Sequence, residues 1–405
     1  MNKKKDLELY IHIPFCISKC KYCDFLSGPA TKERIESYFH DLKKEIDNYG
    51  KQVEYSLEDY QVNTIFIGGG TPSSVASSYI REILEHIERV FSFAPKSEME
   101  ISMEANPGTL TKEKLVDYKK SGINRLSMGL QSADEKELIL LGRIHTFLEF
   151  QENYKLARTE GFDNINIDLM SALPGQTMSS WKQTLEKVVE LKPEHISAYS
   201  LIIEEGTPFY EAYAHHEELL PNEDTDREMY SFTEKLLKKN GYERYEISNY
   251  AKPGFACRHN LGYWDRVPYL GLGLGAASLI EETRFSNPDT FDEYKAYVNG
   301  KERKKELLLL EGQIEEFMFL GLRKIQGIRK IDFFEKFKIP IEHVYKEVLE
   351  KQEQWGLLEN NRDTIKLTKQ GIDLSNMVLA EFLLEEREEK EPTSGKTEER
   401  EDYDR

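Results

Sequence analysis

Along the first two hundred residues, short runs rich in β-branched and aromatic side chains alternate with longer stretches in which apolar residues recur every three or four positions. The β-like runs are Glu8 to Ile13, Asn63 to Ile67, Met99 to Ala105, Arg125 to Leu130, Ile165 to Met170 and His195 to Leu201. Amphipathic segments separate them. The first puts Ile35, Tyr38, Phe39, Leu42 and Ile46 on one face, with Thr31 near its start as a cap. This alternation predicts an α/β fold with a parallel sheet of six βα units, a partial TIM-like barrel. The segments GGGTP, EANPGTL, MGLQS and DLMSALPGQT each fall at or just past a strand end. Parallel barrels gather their reactive groups there, so one shared site is expected.

From about Glu306 the pattern turns helical. A β-like run from Thr364 to Leu367, a polar turn and a helix from Gly371 to Leu384 follow. The expected division is a barrel with its extension over 1–300, then a small winged-helix-like α+β domain over 301–384. Beyond Glu385 almost nothing is apolar, and 385–405 reads as a disordered acidic tail.

Charge narrows the function classes. The 405 residues include 73 acids and 55 bases, a formal net charge of −18. The tail holds ten acids and five bases, contributing −5 and leaving −13 on the body. An acidic body argues against a nucleic-acid partner held by its phosphates. No run of about 18 apolar residues could span a bilayer. The stretch from Leu7 to Phe15 is broken by Glu8, His12 and Pro14 and lacks a cleavage site, so it is not a signal peptide. A cytoplasmic location is expected.

Of four cysteines, Cys16, Cys20 and Cys23 fall within eight residues on a loop directly after the first strand. That layout suits a ligand set better than a disulfide framework. Three thiolates on a four-iron cube leave one iron open to a small molecule, whereas structural zinc needs a fourth ligand. His12 and Cys257 are the only candidates for one, at spacings unlike those of zinc sites. Zinc, or three ordinary buried thiols, remains the plainer alternative.

Cys-x-x-x-Cys-x-x-Cys followed by Gly68-Gly69-Gly70-Thr71-Pro72 resembles the radical S-adenosylmethionine superfamily. The series YIHIPFC, IGGGTP, SMEANPGT, RLSMGLQS, NIDLMSALPGQT and GLGLGAAS is similar to oxygen-independent coproporphyrinogen III oxidase and its relatives over residues 7 to 280. The resemblance implies a [4Fe–4S] cluster on Cys16, Cys20 and Cys23. Its open iron would be chelated by S-adenosylmethionine, which one electron then cleaves. It also implies cofactor contacts at Tyr10, Tyr22, Gly69, Gly70, Thr71, Glu104, Gln131, Arg143, Asp168 and Ala277. Glycines at 68 to 70 would let the backbone approach the methionine amino group, and Glu104 would accept from the ribose hydroxyls. Plainer readings stand beside these: a simple βα turn, an exposed strand-end Glu104, an Arg143 to Asp168 salt bridge, and core packing for Tyr10 and Tyr22.

The oxidases carry a further cysteine two positions after the third, where this chain has Phe25. That departure, with His259-Asn260-Leu261-Gly262-Tyr263-Trp264, resembles the heme-chaperone (HemW-like) branch. The resemblance implies heme binding and delivery to apo-hemoproteins of the respiratory chain, and an electron donor for the cluster. It leaves room for a homodimer and for transient peripheral contact with the membrane. His259 would offer an imidazole to heme iron, Tyr263 and Trp264 would lie against the porphyrin, and Cys257 is a second candidate ligand. A hydrogen-bonded structural His259 and a buried, inert Cys257 are the alternatives. Porphyrin oxidation, or another radical reaction, is the rival activity, and no catalytic residue is singled out.

Overall fold

The computed structural model describes residues 4–51 and 57–384, so the expected tail at 385–405 lies outside the described residues. The six predicted strands all form: β1 (Lys5–Ile13), β2 (Tyr60–Gly69), β3 (Glu100–Ala105), β4 (Arg125–Gln131), β5 (Ile165–Ser171) and β6 (His195–Ser200). They pair in parallel, in sequence order. Helices α1 (Lys32–Tyr49), α2 (Ser77–Val90), α3 (Lys112–Lys120), α4 (Glu135–Leu141), α5 (Phe147–Thr159) and α6 (Met178–Glu190) connect them. Thr31 caps α1 by accepting the Arg34 N–H at 3.3 Å.

After α7 (Pro208–Tyr213) and α8 (Glu223–Lys239), the chain adds β7 (Glu243–Arg244), β8 (Asn249–Ala251) and the short helix α9 (Arg258–Trp264). β9 (Tyr269–Leu272) then pairs in parallel with the free side of β1. Beyond it lie β10 (Ala277–Ile280), β11 (Thr283–Ser286), α10 (Phe291–Val298) and β12 (Lys305–Leu307). The result is a twelve-stranded sheet in the order β12-β11-β10-β9-β1-β2-β3-β4-β5-β6-β8-β7, open at both ends. An extension after the barrel was expected, but not its strands or their pairing with β1. Its strands are three or four residues long, too short for period to mark them.

Strand alternation sorts the side chains. Leu9, Ile11, Ile65, Ile67, Met103, Leu126, Met128, Ile167 and Ile196 pack with Phe39, Leu42 and Leu185 of the helices in one large core. The alternate positions Glu8, Thr64, Glu100, Ser102, Arg125, Ser127, Asn166 and His195 are polar yet buried. In a flat sheet that face would meet water; here it lines the lumen of a curved sheet, and the polar groups must satisfy one another.

The C-terminal part has its own core, drawn from α11 (Leu310–Gly321), β13 (Ile328–Arg329), α12 (Lys330–Phe337), α13 (Ile341–Gln354), β14 (Leu358–Asn360) and β15 (Thr364–Leu367). The three strands form an antiparallel sheet ordered β13-β15-β14, beside which the helices pack. The predicted helix from Gly371 to Leu384 is instead two short ones, α14 (Lys369–Asp373) and α15 (Ser375–Ala380), broken at Leu374. No described helix is long and apolar enough to cross a membrane.

Candidate functional site: two cavities on one lumen

The cysteine loop is clamped by its backbone. Cys16 N–H donates to Gly28 at 3.0 Å, Lys21 N–H donates to Leu141, and Thr71 N–H donates to Phe15. All three cysteines are half-buried and line one cavity of 430 Å³ at the carboxyl ends of the strands. Burial raises the Cys23 thiol, and the nearby sulfurs of Cys20 and Cys16 raise it further, so the three lie within electrostatic reach of one another. Among the described residues no three His, Cys, Asp or Glu are placed to share one metal ion. A cube would spread the three thiolates over three of its irons and leave the fourth open.

Eight of the ten expected cofactor positions line the same cavity: Tyr22, Gly69, Gly70, Thr71, Glu104, Gln131, Arg143 and Asp168. Gly69 has φ +107°, and a Cβ there would stand 2.4 Å from the His12 ring; at Gly70 it would stand 2.7 Å from the Phe15 carbonyl. Glycine is required at both. Glu104 is neither exposed nor idle. It accepts the Gly69 N–H at 3.1 Å, and burial, then the Asp168 carboxylate, push its carboxyl up to about 8. Arg143 donates to Asn106, to the Gly129 carbonyl and to Cys20 Sγ, while Asp168 is held by Ser127 and Asn166. The two are not paired with each other. Asn106, which donates to Thr71 Oγ1 at 2.7 Å, and Tyr199, which donates to Gln131, complete the wall. Neither was singled out in the sequence, although Asn106 lies inside the EANPGTL segment.

Tyr10 and Ala277 do not line this cavity. Both line a second cavity of 510 Å³, beneath the sheet extension and beside α9. His12 and Gly69 separate Tyr10 from the cysteine loop: the Tyr10 hydroxyl bonds His12 Nδ1 at 3.0 Å, and the His12 ring packs on Gly69. His259, Tyr263 and Trp264 line this second cavity too, with Phe66, Tyr269 and, from α11, Phe319 and Leu320. The expected heme candidates are thus grouped, save Cys257.

His259 is buried and engaged at both nitrogens, Nδ1 with Thr64 Oγ1 at 2.7 Å and Nε2 with the Tyr263 hydroxyl at 3.1 Å. Burial, helped by Arg125, lowers its ring to about 3, so it is neutral. Ligation of iron through Nε2 requires the Tyr263 hydroxyl to move aside. Glu8 lies 3.9 Å from His259, but burial raises its carboxyl to about 9, so this is a contact of two neutral groups and not an ion pair. Cys257 lines neither cavity. Its thiol, pushed up to about 12 by burial, faces Glu100.

Glu100 anchors the whole segment. Its carboxylate accepts the N–H groups of Arg258 at 3.1 Å and His259 at 3.2 Å, so a β3 residue caps α9 from 158 positions away. The other end of β3 presents Glu104 to the cluster cavity.

Residues 10–188 match the Radical SAM superfamily, and residues 308–374 match the HemN C-terminal domain. The chain is 38% identical to heme chaperone HemW of Lactococcus lactis, over 95% of this chain and 99% of the relative. It is 38% identical to that of Bacillus subtilis over 92% and 98%, and 34% identical to that of Escherichia coli over 95% and 100%. Its fold is similar to that of the solved coproporphyrinogen III oxidase HemN from Escherichia coli, with a TM-score of 0.81 at 22% identity, covering 94% of this chain and 90% of that one. With cysteine loop, glycine turn and both matched regions in place, the chain belongs to the heme chaperone HemW family of the radical SAM superfamily.

Proposed function

We propose that this chain is a heme chaperone that binds heme in the 510 Å³ cavity beside α9 and passes it to apo-hemoproteins of the respiratory chain. The observation that carries the reading is the presence of two separate cavities on one lumen. One is lined by thiols, glycines and carboxylates; the other is walled by aromatic side chains of the HNLGYW segment and its neighbours. A porphyrin plate suits the second and not the first.

Cys16, Cys20 and Cys23 fit a [4Fe–4S] cluster by number, chemistry and a shared cavity. Gly69, Gly70, Thr71, Glu104, Gln131, Arg143 and Asp168 would then hold S-adenosylmethionine. When bound, the cluster supplies the electron that cleaves the sulfonium. The chain's part is to hold the cofactor: Gly69 and Gly70 bring backbone close, Glu104 offers an acceptor, and Arg143 sets a cation beside the Cys20 sulfur. Phe25 lines the mouth where the oxidases have their further cysteine. Residues 301–384 are assigned as a cap over the heme cavity, since α11 supplies part of its wall. The proposal includes a cytoplasmic location with transient membrane contact, an electron donor and a homodimer.

Anaerobic reconstitution tests this reading. Cluster-loaded protein should bind one heme and transfer it to an apo-hemoprotein, and it should leave coproporphyrinogen III unchanged in the presence of S-adenosylmethionine and a reductant. A vinyl-bearing product, or heme bound but never released to any acceptor, would overturn it.

A further inference from the structure

The second cavity is lined mainly by aromatic and aliphatic side chains, but charges cluster at one corner. Arg266, just past α9, has a side chain only 1% exposed and a backbone at φ +53°, an uncommon conformation for a residue with a Cβ. Its Nε donates to Glu316 at 3.0 Å and its Nη2 to Glu282 at 2.8 Å, while Nη1 has no acceptor. Arg284 on β11 lies 2.6 Å from the other oxygen of Glu316. One carboxylate therefore bridges two guanidinium groups. With Lys336 on Glu282, the cluster holds three cations and two carboxylates.

The two sides of this bridge come from different cores. Arg266 and Arg284 belong to the sheet extension, whereas Glu316 rides on α11 beside Phe319 and Leu320. A receptor for a carboxylate thus exists on the wall of an aromatic cavity, and a side chain of the cap fills it. Burying an unpaired carboxylate is costly, so a flat apolar ligand bearing carboxylates needs such a corner.

We infer that Arg266 and Arg284 receive a propionate of heme, and that Glu316 is the internal carboxylate this propionate displaces. The inference rests on the heme reading of the same cavity and deepens it. The bridge through Glu316 ties α11 down while the corner lacks a ligand carboxylate. Propionate entry releases that tie, so heme occupancy and the seating of α11 are linked. Arg284, 39% exposed, stands at the rim, from which the second propionate reaches solvent.

Equilibrium titration of the full chain with heme and with heme dimethyl ester, read by the Soret band, tests the inference. A charge-assisted pair of this kind predicts that the unaltered protein binds heme at least about tenfold more tightly than the ester. Glu316→Gln should tighten heme several-fold and leave the ester unchanged, and Arg284→Gln should erase the preference. Equal affinity of the unaltered protein for both ligands would overturn carboxylate recognition while leaving heme binding intact. So would an equal weakening of both in Glu316→Gln, which would make Glu316 a structural tie only. Failure to bind either tetrapyrrole would overturn the heme reading itself.

Discussion

Replacing Glu8 by Gln isolates the energetic consequence of a carboxyl buried against α9. Glu8 is 4% exposed at its side chain, and its Oε2 has no hydrogen-bond partner. Burial, opposed by Thr64 and reinforced by Glu100, raises it from 4.5 to about 9. Between those limits the folded chain keeps the proton and the unfolded chain has lost it. The folded state thus binds more protons, and stability falls as pH rises through this window, by about 1.4 kcal/mol per pH unit. From pH 5.5 to 7.5 the loss attributable to Glu8 is about 2.7 kcal/mol. Gln is isosteric and does not titrate, so the stability of Glu8→Gln relative to the parent should grow by that amount over the same range. Urea unfolding at the two pH values, followed by near-ultraviolet circular dichroism, measures it, and the other titrating groups cancel in the comparison. Stability curves that stay parallel within about 0.5 kcal/mol would refute the assignment of a neutral Glu8.

A Cβ at Gly262 would lie 1.8 Å from Glu8 Oε1, so Gly262→Ala should lose about 2–3 kcal/mol by overpacking; adding Glu8→Ala should return part of it, a coupling that a double-mutant cycle detects. Glu100→Ala leaves two N–H groups of α9 without an acceptor beside the buried Arg125, an expected loss of about 3–5 kcal/mol in denaturant unfolding. Glu100→Gln, which keeps one acceptor, should lose roughly half as much. Cys20→Ser should abolish the anaerobic iron–sulfur absorption and the iron and sulfide content, while the far-ultraviolet spectrum of the fold is retained.

The six parallel strands were legible because each carries a local β-like run, and the first five end in a motif. Eight of the positions that the family resemblance implied line one cavity, since strand ends converge in a barrel. What sequence spacing could not show is the destination of the polar half of each strand. Glu8, Glu100, Arg125 and His195 look like solvent-facing positions by alternation, and only curvature of the sheet turns them inward. Nor does any local signal join Glu100 to Arg258 or Arg266 to Glu316, because those contacts depend on tertiary packing. Tyr10 illustrates the same gap. It sits six residues before Cys16, yet the His12 ring stands between its strand position and the cluster loop.

β3 carries Glu100 to the α9 segment and Glu104 to the cofactor cavity, four residues and about 13 Å apart along one extended strand. Because side-chain direction has a period of two, a single inserted or deleted residue between them would turn one carboxylate out of the lumen and detach one site from the scaffold. The loops of this chain can lengthen or shorten during divergence, but this interval cannot. Across descendants of the same fold, the count from Glu100 to Glu104 should be among the least variable distances in the sequence, even where neither residue's immediate neighbours persist.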